Sequence, residues 1–242
     1  MKPSINDHQS SALSPFILVN MAMTADGKSA TSNRVVSSFG SRHDQDHLLR
    51  LRATAEAVMA GARTVDLNRV NLGPGPAEYR RLRLRRGLAE YNLRVIVSRS
   101  GTVNPNAEVF QRRFSPTIVL TTHRATAASL NKLRAVATDV KLCGAREINF
   151  HRAMCWLRAK WGIRRLLCEG GGELNDALFR AGLVSELHLT VCPRIFGGRS
   201  APTIADGLGA SALARADRLE LKSARRRGDE MYLVYRVARR AS

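Results

Sequence analysis

The chain has 242 residues, 44% hydrophobic and 24% charged, a composition that closes one core without disulfides or structural metal and is too apolar to remain disordered. Its 39 basic residues outnumber 20 acidic ones for a formal charge of +19, and only six of the 39 are lysine, so an arginine-rich surface suited to nucleic acid or to phosphorylated ligands is expected. The basic clusters Arg80–Arg86 and Arg225–Arg227 carry few aromatic side chains on which bases could stack, which argues against a dedicated nucleic-acid function.

Residues 1–14 read as a flexible polar leader, and 15–242 as one domain. The run Phe16–Thr24 predicts a largely buried strand closed by the turn dipeptide Asp26-Gly27. The apolar run from Phe16 to Ala25 is too short to span a bilayer, and no basic stretch precedes it as a secretory signal would require, so a cytoplasmic protein is expected. A helix follows over about 41–53, with few apolar positions to define its inward face. Glu56–Gly61 reads as a short buried strand, Gly61–Thr64 as a turn, and the Gly-, Pro- and Arg-rich segment 73–90 as a connection with one basic helical turn. Arg94–Ser98 and Thr117–Thr121 predict parallel-type strands, with a helix over about 125–135 and a short strand Asp139–Cys143 after them. A helix over 148–160, a strand Arg164–Glu169 and a helix from Gly172 to Ala181 come next. Three final strands, Leu187–Cys192, Leu219–Ser223 and Met231–Val237, end the chain, the last two pairing as a hairpin across Arg225–Gly228. Strands alternating with helices and closing in a run of strands indicate an α/β domain with a mixed, mostly parallel sheet flanked by helices. The four cysteines, Cys143, Cys155, Cys168 and Cys192, stand far apart in or beside apolar runs and read as buried free thiols, with no metal site.

The stretch carrying most chemical information is Leu166–Phe179, where a buried strand runs into Glu169, the glycines Gly170, Gly171 and Gly172, and then an amphipathic helix. Glycines admit close approach of a ligand to the backbone, and the amides opening a helix carry partial positive charge, a combination suited to a pyrophosphate. A tight strand-to-helix turn is the plainer alternative, but three consecutive glycines exceed what such a turn requires. Neither G-x-G-x-x-G nor G-x-x-x-x-G-K-[ST] occurs, so a Rossmann dinucleotide site and a P-loop are not supported.

Three ordered blocks resemble a known family. Glu169-Gly170-Gly171 through Leu183–Pro193 to Phe196-Gly197-Gly198, the first-strand segment Asn20–Lys28, and Ala57–Val65 are similar to the reductase domain of bifunctional riboflavin deaminase/reductases and their stand-alone archaeal and fungal relatives, built on a dihydrofolate-reductase-like fold. The resemblance implies NADPH-dependent reduction of the ribosyl group of a phosphoribosylaminopyrimidine to ribityl. It implies that Gly171 to Ala177 hold the cofactor pyrophosphate, that Gly170, Gly171, Gly172, Glu173, Leu174 and Asn68 bind the cofactor, that Thr64 contacts its nicotinamide half, and that Ser98 lies near its adenosine side. Arg99 would pair the 2′-phosphate, for which a guanidinium offers two donors. Glu169 and Lys28 would be the polar groups near the reacting carbon, and Asp26, Arg52, Leu72 and Glu169 would contact the substrate. A homodimer is implied as well.

The chain departs from the family where an Asp-Asp-Pro segment commonly follows the threonine. Here the residues are Val65-Asp66-Leu67-Asn68, and Asn68, in place of the first aspartate, cannot accept a proton as a carboxylate does. Either that aspartate is dispensable, Asp66 replaces it, or the substrate differs. The zinc motifs H-x-E and P-C-x-x-C of the deaminase half are absent from these 242 residues, so reductase activity without deamination is expected. Two rivals remain: a dihydrofolate- or pterin-type reductase on the same fold, and a basic nucleic-acid-binding protein on an inactive reductase fold.

Overall fold

A computed structural model describes residues 14–34, 39–67 and 70–238. The elements in chain order are β1 (Phe16–Thr24), α1 (Arg42–Arg52), β2 (Ala57–Gly61), α2 (Ala62–Leu67), α3 (Ala77–Arg85), β3 (Leu93–Val97), α4 (Glu108–Gln111), β4 (Thr117–Thr121), α5 (Ala127–Val136), β5 (Asp139–Leu142), α6 (Phe150–Trp161), β6 (Arg165–Cys168), α7 (Gly172–Arg180), β7 (Val184–Cys192), a 3-10 turn (Leu213–Arg215), β8 (Leu219–Arg227) and β9 (Glu230–Val237). The strands form one sheet in the order β5-β4-β3-β2-β6-β1-β7-β9-β8. β1 to β7 run parallel, and the β8–β9 hairpin adds antiparallel to β7. The expected mixed, mostly parallel sheet with a C-terminal hairpin is therefore the observed architecture.

Alternation of side chains along each strand gives the sheet two apolar faces. Ile17, Val19, Met59 and Leu166 pack with Met154 and Leu157 of α6 and Leu174 and Leu178 of α7. Leu18, Val58, Ala60 and Leu167 face the other way, toward Leu51 of α1, Phe110 of α4 and Leu133 of α5. α6 starts where the Asn149 side chain accepts from Arg152 N and stops at Gly162, whose φ of +68° closes the last turn.

Three expectations need correction. Residues 62–64 are not a turn but the first residues of α2, which begins directly from β2. The basic connection holds a nine-residue helix, α3, rather than a single turn. Its buried residues are Tyr79 and Arg83, four apart and on one face, and Arg83 donates to the carbonyls of Ala89, Arg52 and Ala55. An inward-facing arginine breaks the apolar periodicity by which such a helix is found. In the hairpin, Arg225–Arg227 belong to β8, and the reversal falls at Gly228-Asp229.

α1 docks by an uncommon means. Asp44, His47, Leu48, Leu51 and Arg52 recur at the spacing of one helix face, and three of the five are ionisable. Asp44 bonds the Thr190 side chain, His47 lies 5.6 Å from the His188 ring and 5.5 Å from that of Tyr232, and Leu48 and Leu51 supply the apolar contact. Burial, and next the neighbouring His188, pull the pKa of His47 from 6.5 down to about 4. Because the folded value lies below the unfolded one, the unfolded chain takes up the proton first as pH falls. The resulting stability is complete above about pH 6.5 and is lost toward pH 4, by roughly 3 kcal/mol in all. Urea unfolding at pH 7 and pH 4.5 should therefore show a smaller acid loss in His47→Gln than in the parent protein. Equal losses would exclude His47 as the titrating group.

Candidate active site

The parallel strands bring their C-terminal ends to one edge, and the chain reverses direction there. β1 leads through α1 to β2, yet β6 returns from the far side of the sheet to lie between them. Open α/β sheets gather ligand groups at such a point.

The segment after β6 sits in that gap. Glu169 N donates to Met59 O at 2.9 Å, and Gly61 N donates to Gly170 O at 2.9 Å, which holds the glycine turn against the end of β2. The Gly170–Gly171 peptide is cis. Each glycine meets a different neighbour. A Cβ on Gly170 would lie 2.7 Å from Met21 Sδ, and one on Gly172 would lie 2.7 Å from Asp206 Oδ2 and 2.9 Å from Thr203 O. Those two glycines admit protein. A Cβ on Gly171 would approach only Thr64 Oγ1, at 3.4 Å. Gly171 is also the N-cap of α7 and provides no side-chain cap for its amides, so an open cradle meets the positive end of a helix.

Beside the cradle lies a buried ion pair. Arg52 Nε and Nη2 each donate at 2.6 Å to the two oxygens of Glu169, and Nη1 donates to Gly73 O at 2.6 Å. Both side chains are 11% exposed. The fold thus joins two residues, read separately as substrate contacts, from positions 117 apart. The Glu169 carboxylate is oriented by arginine rather than by the amides of the glycine turn. β1 and β6 are in register at Val19 and Cys168, so one step further Asn20 stands alongside Glu169, and on its other side Asn20 pairs with His188. Asn20 Oδ1 and His188 Nδ1 are buried with no hydrogen-bond partner among the described residues. The residue identities, if not the geometry, were visible: Asn20 is a single amide inside an apolar strand, and β7 alternates Glu186, His188 and Thr190 with leucine and valine. The strand begins at Val184, three residues before the expected start, and buries that polar face.

The rim comes from β1 and the segment after β7. Asp26 accepts from Thr24 Oγ1 at 2.5 Å, Gly197 N at 2.7 Å and Phe196 N at 3.2 Å. The Thr24 hydroxyl foremost, with those amides helping against partial burial, holds its pKa below the usual carboxylate value. Its oxygens are thereby engaged in shaping the loop. Lys28 is bridged through its backbone to Thr203, and its Nζ makes one long contact, 3.5 Å to Ala201 O.

The remaining sequence-derived positions divide by what they can offer. Thr64 stands beside Gly171. Ser98 is buried, with its hydroxyl 3.3 Å from Thr102 O. Arg99 pairs with Glu147 at 2.8 Å, but the side chains are 56% and 71% exposed, and a pair so solvated exchanges readily. Glu173 makes a similar exposed pair with Arg63. The Leu72 and Leu174 side chains are committed to the two cores, leaving backbone atoms as their only polar groups; Leu72 O already accepts from Asn92 Nδ2. Asn68 lies outside the described residues. Asp66, the suggested replacement, accepts from Asn104 N at 2.9 Å and lines an open groove of about 530 Å³ with Asn106, Gln111 and Arg112. Cys143, Cys168 and Cys192 are buried free thiols as expected, and Cys155 is half-buried. Among the described residues no cluster of histidine, cysteine or carboxylate side chains could hold a metal ion, and no helix is long and apolar enough to cross a membrane.

Residues 15–233 match the RibD C-terminal domain. The chain is 31% identical over 230 residues to a Methanothermobacter thermautotrophicus protein named 2,5-diamino-6-ribosylamino-4(3H)-pyrimidinone 5′-phosphate reductase, covering 92% of this chain and 98% of that one. A protein of the same name from Archaeoglobus fulgidus is 30% identical over 206 residues, 85% of this chain and 93% of the relative. The riboflavin biosynthesis protein RibD of Actinobacillus pleuropneumoniae is 28% identical across 92% of this chain but only 57% of its own length. In fold the chain is similar to a pyrimidine reductase-like protein of Corynebacterium diphtheriae, with a TM-score of 0.77 at 23% identity over 93% of this chain and 92% of that one. With a match that spans nearly all of the sheet and relatives of 30% identity or more along most of their length, the chain belongs to the RibD C-terminal domain family.

Proposed function

We propose that this protein is the NADPH-dependent reductase of riboflavin biosynthesis that converts the ribosyl group of a 6-ribosylaminopyrimidine 5′-phosphate into ribityl. The observation that carries the reading is the open cradle at Gly171 lying beside the buried Arg52–Glu169 pair on one strand edge. An anion site and an oriented polar pair at the same edge suit a dinucleotide and a polyhydroxylated substrate together. The diamino rather than the deaminated pyrimidine is favoured because the relatives matched along nearly their whole length are named for it.

The residues fit the cofactor: the space a Cβ on Gly171 would fill, the uncapped start of α7 and the adjacent Thr64 hydroxyl match a pyrophosphate. Glu173 and Leu174 add main-chain amides there, and Ser98 and Arg99 lie at the end of β3 on the same strand edge. Arg99 exchanges Glu147 for the 2′-phosphate and sets the preference for NADPH. When bound, the nicotinamide supplies a hydride for C1′ of the ring-opened ribosyl imine. Glu169, fixed by Arg52, accepts hydrogen bonds from ribosyl hydroxyls, and Lys28 holds or transfers the proton at the ribosyl ring oxygen as the ring opens. Asp26 keeps the loop carrying Lys28 closed against Phe196 and Gly197.

The assay is NADPH oxidation with the diamino pyrimidine, its deaminated form and dihydrofolate. Turnover of the first, with NADPH preferred over NADH, is expected. Turnover of dihydrofolate alone would move the protein to a pterin substrate, and salt-sensitive DNA binding without NADPH binding would end the enzymatic reading. Gly171→Val should abolish NADPH binding in calorimetry while leaving the circular dichroism spectrum unchanged; retained affinity would place the cofactor elsewhere.

Lys28→Met and Glu169→Gln should each lower kcat/KM by about 10²-fold or more, with NADPH affinity nearly unchanged. Activity within a few-fold of the parent in both would remove these residues from the reacting centre.

The protein is further proposed to be a homodimer. Leu219, Leu221 and Met231 are exposed on the hairpin, on the same face as the half-buried Leu233 and Tyr235, and β8 is a sheet edge that a second copy would cover. Light scattering at micromolar concentration should give twice the chain mass, and a monomer mass refutes the dimer.

A further inference from the structure

α1 is held at both ends by a carboxylate from elsewhere in the chain. At its C-terminal end the carboxylate is Glu169, through Arg52. At its N-terminal end it is Glu230, the first residue of β9 and only 5% exposed. Glu230 Oε1 accepts from Ser41 N at 2.6 Å and Oε2 from Ser41 Oγ at 2.6 Å, while Ser41 Oγ in turn caps the helix by accepting from His43 N at 3.1 Å. Tyr232 OH donates to the same carboxylate at 2.5 Å, and Cys192 Sγ lies 3.7 Å from it. Burial raises the affinity of Glu230 for a proton, but the Ser41 and Tyr232 hydrogen bonds prevail and keep its pKa below the ordinary glutamate value. The hairpin therefore presents an ionised, fully engaged carboxylate to the start of the helix that carries Arg52.

Between its two ends the apolar contact of the helix comes from Leu48, Leu49 and Leu51, and Asp46 accepts from Tyr79 OH at 2.6 Å, so directional contacts share with packing in fixing its rotation. A helix with side chains has a radius of about 5–6 Å, so roughly 10° of rotation moves a side-chain tip by about 1 Å. A displacement of that size in an oriented group is enough to cost up to about 10²-fold in rate. A guanidinium that grips a carboxylate with two parallel donors tolerates such rotation poorly.

We propose that Glu230 is a positioning residue for the Arg52–Glu169 pair, setting the rotation of α1 from the hairpin. The kinetic consequence rests on the reductase reading; the structural one does not.

The test uses the full chain with Glu230→Ala, Glu230→Gln, Arg52→Lys and the double variant Glu230→Ala/Arg52→Lys. Glu230→Ala should lower kcat/KM for the pyrimidine at least tenfold, with KM for NADPH changed less than twofold. Glu230→Gln, which keeps an acceptor for Ser41 N and a polar group facing Ser41 Oγ, should recover most of that loss. In the Arg52→Lys background, Glu230→Ala should cost less than threefold, because the two-donor grip it orients is already gone. An equal penalty in both backgrounds, or no penalty for Glu230→Ala alone, overturns the proposal. Hydrogen exchange supplies the arm that needs no substrate. Amides of residues 42–52 should exchange at least tenfold faster in Glu230→Ala than in the parent protein, with Glu230→Gln close to the parent and those of α6 unchanged in both. Unaltered protection of residues 42–52 in Glu230→Ala overturns the proposal even if the parent protein turns over no pyrimidine, whereas that failure of turnover alone counts against the reductase reading.

Discussion

The contact on which the strand edge at Gly171 depends is the ion pair of Arg52 with Glu169. Two charges withdrawn from water lose several kcal/mol each in hydration, and their attraction offsets this only when the geometry is good and the remaining donors are satisfied. Both conditions are met: two parallel 2.6 Å bonds join the groups, and Gly73 O takes a further guanidinium donor. One side chain therefore connects α1, the glycine turn after β6 and the loop at Gly73. Neither partner can leave without stranding the other in a buried site, so the pair specifies how these three segments meet more than it adds to stability.

A polar face on α1 follows from the same requirement. Had the helix been packed by leucines alone, its inward side would offer no partner to the polar groups of Thr190, His188 and Glu169. Here Leu48 and Leu51 supply modest burial, and Asp44, His47 and Arg52 meet Thr190 and His188 of β7 and Glu169 just after β6. Burial raises the pKa of Asp44, opposed by its Thr190 hydrogen bond and reinforced by the charge of Glu230, while His47 is held neutral. The result is a helix whose seat depends on directional contacts, each with its own partner, as well as on packing.

These features explain what the amino-acid sequence disclosed. Strands buried on both faces, such as Arg94–Ser98 and Thr117–Thr121, are short apolar runs and were legible to within a residue or two. The glycine turn was legible because glycine has few reasons to occur three times in succession; that the three have separate neighbours, Met21, an open space beside Thr64 and the Thr203–Asp206 segment, needed the fold. α3 and the start of β7 were misread for one reason: their buried faces contain Arg83 and Glu186, and periodicity analysis assigns charged residues to solvent. Residues 117 apart gave no sign of being paired, and Glu169 was therefore read as unaccompanied.

The arginine excess acquires a partial explanation from the same interior. Arg83 and Arg94 are each 1% exposed. Arg94 donates to the carbonyls of Val109, Arg112 and Ser115 and lies 4.4 Å over the Phe114 ring, much as Arg83 gathers Ala89, Arg52 and Ala55. Each guanidinium closes a loop by collecting carbonyls that would otherwise be buried without donors, a task for which its planar fork suits it better than an ammonium. Burial lowers both pKa values to about 10, so both remain charged at neutral pH. Together with Arg52 they are cations that no polyanion can reach. The interior also buries Asp176, Glu186 and Glu230, so burial removes cations and anions alike and leaves the surface charge close to that counted from composition, while part of the basic character serves to close the loops that lead into β2, β3 and β4.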